Sequence, residues 1–187
     1  LVGLGNPGSD YTNTRHNIGF KIIDAINLHF KLSKQKPKFK GLLTTGNIEE
    51  KKIYAIKPLT FMNNSGTAIK ELIDYFKIDA KNVIVFHDDM DIDFGKIKAK
   101  FGGSSAGHNG IESIDKFIGK EYSRVRIGIG HPKQKKKVNN HVLEDFKEDE
   151  EEKIKEITEN IVKQIPTLID KKMDLFSSKV NQNLNGI

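Results

Sequence analysis

The sequence contains no cysteine and no tryptophan. Without cysteine there is no thiol nucleophile, no cysteine metal site and no disulfide, and nothing points to an oxidising compartment. No apolar run approaches the roughly 20 residues of a membrane span, and no stretch reads as a secretory signal. Two catalytic signatures are also missing. There is no G-x-S-x-G strand–turn–helix for a serine hydrolase and no H-E-x-x-H pair for a zinc hydrolase.

What is present is mostly charge. Lysine and arginine total 31 against 25 acids, a net charge of +6 over 187 residues. A balance of this sign favours a polyanionic partner. The charges are uneven: HPKQKKK (131–137) is basic and EDFKEDEEEK (144–153) acidic. The acidic run reads as a solvated face; the basic run is a candidate for nucleic-acid contact. The length suits one domain able to bury a core without metal or disulfide staples. We expect a single domain over residues 1–187. The polar end, SSKVNQNLNGI (177–187), reads as a frayed tail. The chain starts at Leu1 inside an apolar run that reads as a strand, so preceding residues are expected.

Periodicity divides the rest. Ile18, Ile22, Ala25, Ile26 and Phe30 recur at helical spacing over 17–32. KQKPKFKG reads as a loop and GLLTTGNIEEKKIYAIKP as a hairpin turning at Glu49–Lys51. Ser65 is placed to cap a helix running to about Lys77. NVIVFHDDMD reads as a buried strand ending in acids, and GKIKAKF as an edge or half-buried strand. A helix over 109–118 and a strand over 123–130 follow. A long helix starts near Asp149 and is kinked or split at Pro166. Strands alternating with helices predict an α/β fold, three layers around one twisted mixed sheet, with ligands at the loops after strand ends.

Gly3, Gly5 and Gly8 spell G-x-G-x-x-G, the pattern of a dinucleotide loop. That loop must open directly into a helix so that the helix N-terminus holds the pyrophosphate. Here Pro7 and SDYTNTRH intervene, so the glycines read as backbone freedom around Asn6. Asp88, Asp89, Asp91 and Asp93 crowd one segment. A calcium loop beginning at Asp89 would want glycine sixth and glutamate twelfth, where Phe94 and Lys100 stand. Magnesium or zinc on His87 and Asp88 stays open, as does a non-catalytic RNA-binding role. The remaining chemistry is a histidine with a carboxylate and no nucleophile, which suits direct attack by water with the histidine as general base. Carboxamides suit the frame of such a site, since they both donate and accept. Asn6, Asn63 and Asn109 supply them, each in a loop that could converge on one rim of the sheet.

GLGNPGSDYTNTRHNIGF, KPLTFMNNSG, HDDMD, GGSSAGHNG and RVRIGIGHP, in this order, closely resemble bacterial-type peptidyl-tRNA hydrolases over residues 1 to about 172. The resemblance implies a cytoplasmic, monomeric, metal- and cofactor-free enzyme. Its reaction is hydrolysis of the ester joining a peptide to the 3′ end of tRNA, which frees the tRNA for translation. By motif, His16 would be the general base, oriented by Asp88. Asn6 would help distinguish a blocked from a free amine. Tyr11, Phe61, Asn63 and Asn109 would contact the tRNA CCA end or the peptide main chain, with Met62 and His108 lining the cleft. Lys100 and Arg126 would clamp the 5′ phosphate at the acceptor stem, and HPKQKKKVNNHVL would form a mobile lid. Ala106 stands where such sequences usually carry glycine, which should stiffen that loop.

Overall fold

Runs that are apolar throughout end up at the middle of a sheet, and alternating runs at its edges. The computed structural model, which describes residues 1–132 and 138–184, follows this rule. One seven-stranded sheet has the order β2-β3-β4-β1-β5-β7-β6. Its strands are β1 (Val2–Gly3), β2 (Lys36–Lys38), β3 (Gly41–Ile48), β4 (Lys51–Pro58), β5 (Ile84–Asp89), β6 (Ile97–Phe101) and β7 (Ser123–Gly128). Strands β4, β1, β5 and β7 run parallel; β2, β3 and β6 attach antiparallel. Every residue of β5 is buried, whereas β6, at the sheet edge, alternates.

Helices cover both faces. On one lie α1 (Ile18–His29), α5 (Glu148–Lys163), α6 (Ile165–Ile169) and α7 (Met173–Leu184), whose Ile22, Ile26, Ile157, Ile161, Leu168 and Phe176 pack on Phe86, Val125 and Ile127. On the other lie α2 (Ser65–Phe76) and α3 (Asn109–Ile118), whose Ile69, Leu72, Ile111 and Ile114 pack on Val2, Leu4 and Val85. A short helix, α4 (Val138–His141), precedes α5. The hairpin, both central strands and the break at Pro166 stand as expected.

Four local expectations are corrected. The stretch read as a loop, KQKPKFKG, contains β2, an edge strand whose lysines and Pro37 carry no strand signal but suit an edge exposed to water. Ser65 is the first residue of α2 rather than its cap, and its hydroxyl donates to the Met62 carbonyl. The C-terminal stretch is not frayed over 177–184. Helix α7 buries Phe176 and Val180. Its Asn181 carboxamide exchanges two hydrogen bonds with the backbone of Ile97, at 2.9 and 2.8 Å, and the Ser177 hydroxyl accepts from Ala99 N–H at 2.8 Å. These side chains stand in for a strand and close the β6 edge, so their polarity was no sign of disorder. Finally, Gly3 serves close packing rather than backbone freedom. A Cβ there would lie 2.2 Å from the Gly19 carbonyl, and one on Gly19 2.3 Å from Leu4 N. The two glycines let α1 cross β1 backbone to backbone.

Candidate active site

The parallel strands end on one rim, and the loops leaving β1, β4 and β5 meet there with the loop into α3. They enclose a pocket of about 340 Å³ lined by Asn6, His16, Phe61, Met62, Asn63, Asp88, His108 and Asn109, among others. Helix α1 starts only at Ile18. Before it come two single 3₁₀ turns, Ser9–Tyr11 and Arg15–Asn17, and the second carries His16 over the end of β5.

His16 Nδ1 lies 2.8 and 3.0 Å from the two oxygens of Asp88. A carboxylate only accepts, so Nδ1 carries the proton. The lone pair is then on Nε2, which has no protein partner among the described residues. Asp88 is fully buried. Burial alone would raise its pKa, but the adjacent His16 and His108 outweigh it and hold the carboxyl far below the ordinary range. Asp88 is therefore an anion at any working pH.

The carboxamide of Asn6 is oriented by the same logic. Its Oδ1 accepts from Met62 N–H at 2.8 Å, which leaves the NH₂ group as the free donor at the pocket it lines. The Asn6 main chain is clamped at both ends by the Asn17 side chain, at 2.8 and 2.9 Å. Asn63 and Asn109 line the same pocket but are exposed.

A profile of the peptidyl-tRNA hydrolase family matches residues 1–186. The chain belongs to that family. It is 73% identical over 181 residues to the peptidyl-tRNA hydrolase of Pelagibacter ubique, covering 97% of each sequence. It is 46% identical to that of Ehrlichia ruminantium over 96% of this chain and 92% of the relative. The crystal structure of peptidyl-tRNA hydrolase from Acinetobacter baumannii superposes with a TM-score of 0.90 at 34% identity, over 96% of this chain and 92% of that one. The chain is accordingly an enzyme, a hydrolase whose substrate is peptidyl-tRNA.

Of the residues expected for a peptidyl-tRNA hydrolase, the structure brings eight to one pocket and leaves three outside it. Tyr11 does not line the pocket; it stands edge-on to Phe61, centroids 6.4 Å apart, with Phe61 59% exposed. Lys100 and Arg126 lie off the pocket on the β6–β7 ladder, where Lys100 is opposite Arg124 and Arg126 opposite Lys98. Burial, with Arg126 and Arg124 close by, lowers the Lys100 pKa. Arg126 Nε donates to Asp89 at 2.6 Å. Residues 133–137, the basic part of the expected lid, lie outside the described residues. From the rest of that segment, Val142 and Leu143 line the pocket. Ala106 has φ +49°, a left-handed conformation that is costly for a residue with a Cβ.

His16, Asp88 and His108 also meet the spacing of a metal site, their ligand atoms lying within 4.8 Å of one another. The bonding argues against that use. His108 Nδ1 accepts from the backbone amides of Gly110 and Ile111, so its Nε2 holds the proton and has no lone pair to offer. Nor does His87 join the acid cluster. Its Nδ1 donates to the Asp88 carbonyl at 2.7 Å, and its ring faces His108.

Sequence reasoning missed Arg15. Its side chain is buried, donates to Glu150 at 2.6 Å and lies over the Phe146 ring at 4.9 Å. The backbone N–H groups of Arg15 and His16 donate to the carbonyls of Glu144 and Val142 at 3.0 and 2.8 Å. The turn carrying His16 is thus stitched to the segment before α5. Arg15 is next to the candidate base, but no local pattern names a partner 135 residues away.

Proposed function

We propose that peptidyl-tRNA is hydrolysed in this pocket by water activated at His16. The carrying observation is the tautomer: Asp88 holds the proton on Nδ1 and leaves Nε2 as the base. Nε2 takes a proton as the water oxygen bonds to the ester carbonyl carbon. The tetrahedral intermediate then collapses, the bond to the ribose oxygen breaks, and the imidazolium returns its proton to that oxygen. An alkoxide leaves more readily than an amine, so a base in a carboxamide frame suffices without a covalent nucleophile. Asn6 Nδ2 is the donor we assign to reading the N-blocked peptide, with Asn63 and Asn109 along the main chain or the tRNA 3′ end. Tyr11 and Phe61 offer faces for the terminal bases, where stacking contributes about 1–3 kcal/mol per base. Lys100 and Arg126 would bind phosphate at the acceptor stem, Arg126 in a fork and Lys100 as a point charge.

On this reading the enzyme works as a monomer in the cytoplasm, where its substrate is made. Among the described residues no helix is long and apolar enough to cross a membrane.

The test is release of peptide from N-acetyl-aminoacyl-tRNA. His16→Ala should lower kcat by at least about 10³-fold and leave tRNA affinity within about twofold. Near-normal turnover in that variant would remove His16 from the chemistry. Activity that a chelator abolishes would favour the metal-dependent alternative.

A further inference from the structure

His108 stands between a backbone and a carboxylate. Its Nδ1 accepts the amides of Gly110 and Ile111 at 3.1 and 3.3 Å, which makes it the cap of α3. Nε2–H then donates to Asp88 Oδ1 at 3.0 Å. That oxygen also accepts His16 Nδ1–H at 2.8 Å, so one carboxylate oxygen serves two imidazoles whose centroids are 4.9 Å apart. His108 is held in place from its other flank. The His87 ring packs edge-on to it at 4.9 Å and is itself pinned to the Asp88 carbonyl. Burial, with His108 next to it, holds His87 well below the usual imidazole value, so His87 is a neutral buttress.

Each N–H that donates to a carboxylate stabilises its charge and leaves less for other partners. We propose that His108 is a positioning residue that holds Asp88 and takes a share of its charge, limiting how tightly the carboxylate grips protonated His16. The proposal rests on the reading of His16 as the base. A base gripped too tightly stays protonated and cannot accept a proton from water. With no carboxylate it would lose its tautomer. The split carboxylate sets a point between these extremes.

Other charged groups surround the pair on every packed element. Arg15, Glu144 and Glu150 lie beneath the His16 turn and His141 lies on α4. Asp89 with Arg126, and Lys100 with Arg124, lie on the sheet, and Asp91 lies 3.7 Å from His131. Among the described residues none of them hydrogen-bonds to either ring or to the Asp88 carboxylate. A change confined to His108 therefore isolates its share.

The informative variant is His108→Asn. Asparagine is a favoured helix cap, so α3 keeps its cap, but the shorter side chain does not reach Asp88. Serine, also a favoured cap, is the second variant should the first not fold. Two readouts are needed: the NMR resonance of His16 Nδ1–H, and the pH profile of kcat/KM on N-acetyl-aminoacyl-tRNA. In H108N the resonance should move downfield as Asp88 closes on His16. The acid limb should move up by about one pH unit, about a tenfold loss on that limb that is recovered at high pH. H108A should shift both in the same way and also lower the melting temperature, because it removes the cap. An unchanged resonance and limb in folded H108N would overturn the proposal and leave His108 as a cap alone. A resonance that moves without the limb would uphold the shared carboxylate and overturn His16 as the base.

Discussion

In the pocket, each polar group at the centre has a partner that fixes its state. Asp88 has two imidazoles, His108 has two backbone amides, and Asn6 has a backbone amide and the Asn17 clamp. A few residues away, on β6 and β7, cations gather without enough acids. Lys98, Lys100, Arg124 and Arg126 share that ladder, and their ion pairs reach only Asp89 and Asp115. Among the described residues Lys98 and Lys100 have no ion pair at all. The first region is organised before substrate arrives, which suits the chemistry. The second carries charge the protein leaves uncompensated, which suits the capture of a phosphate. In the function we propose, the first region would set the rate of the reaction and the second the affinity and its salt dependence.

The contrast can be broken most sharply at Asp88. Asp88→Asn can still accept one imidazole N–H, but its NH₂ group forces the wrong tautomer or orientation on the other. We expect kcat to fall about 10³- to 10⁴-fold with tRNA affinity unchanged. Equilibrium binding beside single-turnover hydrolysis checks both halves. A loss of binding of comparable size would mean the regions are not separate.

At the basic ladder the opposite pattern is expected. Lys100→Ala should weaken binding of 5′-phosphorylated tRNA about tenfold and reduce the slope of log K against log salt by about one. Removing one of several crowded cations should leave the melting temperature the same or slightly higher. A filter-binding salt series with a thermal melt decides it; a variant that loses stability but not affinity would make Lys100 structural.

The smallest effect is expected between the two regions and the rest of the fold, at Glu150. Burial would raise its pKa, but Arg15 and the Lys147 amide lower it below the ordinary 4.5. With the folded value below the unfolded one, the unfolded chain binds more protons between them. Stability from this group is therefore present above about pH 4.5 and is lost as pH falls through the folded value. Glu150→Gln should remove that part of the acid sensitivity and cost about 0.5–1 kcal/mol at neutral pH, because Glu150 is partly exposed and the Gln carbonyl oxygen can still accept from Arg15. Urea melts at pH 7 and pH 4 measure it, and a variant as acid-sensitive as the parent would dismiss the pair.

The same contrast between local and distant partners governs what could be read from the chain alone. Strands β5 and β6 and helices α1 to α3 announce themselves because their burial follows from neighbours two to four residues away. Histidine beside arginine and asparagine, and an apolar strand ending in acids, already suggest a water-activating pair. Edge strand β2 was hidden because its lysines and proline are what an edge requires. Helix α7 was hidden because its polar side chains face backbone, and the sequence does not say which backbone. Arg15 was legible as a residue, but its role was not, since its partner arrives from the other end of the chain.

By itself the sequence determined the alternation of the central strands with helices α1 to α3, the absence of a thiol nucleophile, and the motifs shared with the peptidyl-tRNA hydrolase family. Each of these is written in residue type and spacing. Tertiary structure alone decided which nitrogen of each imidazole carries the proton, that one oxygen of Asp88 serves two histidines, and that α7 closes the sheet. Those are properties of directed hydrogen bonds between distant residues, and such bonds exist only once the fold has brought donor and acceptor within about 3 Å of each other.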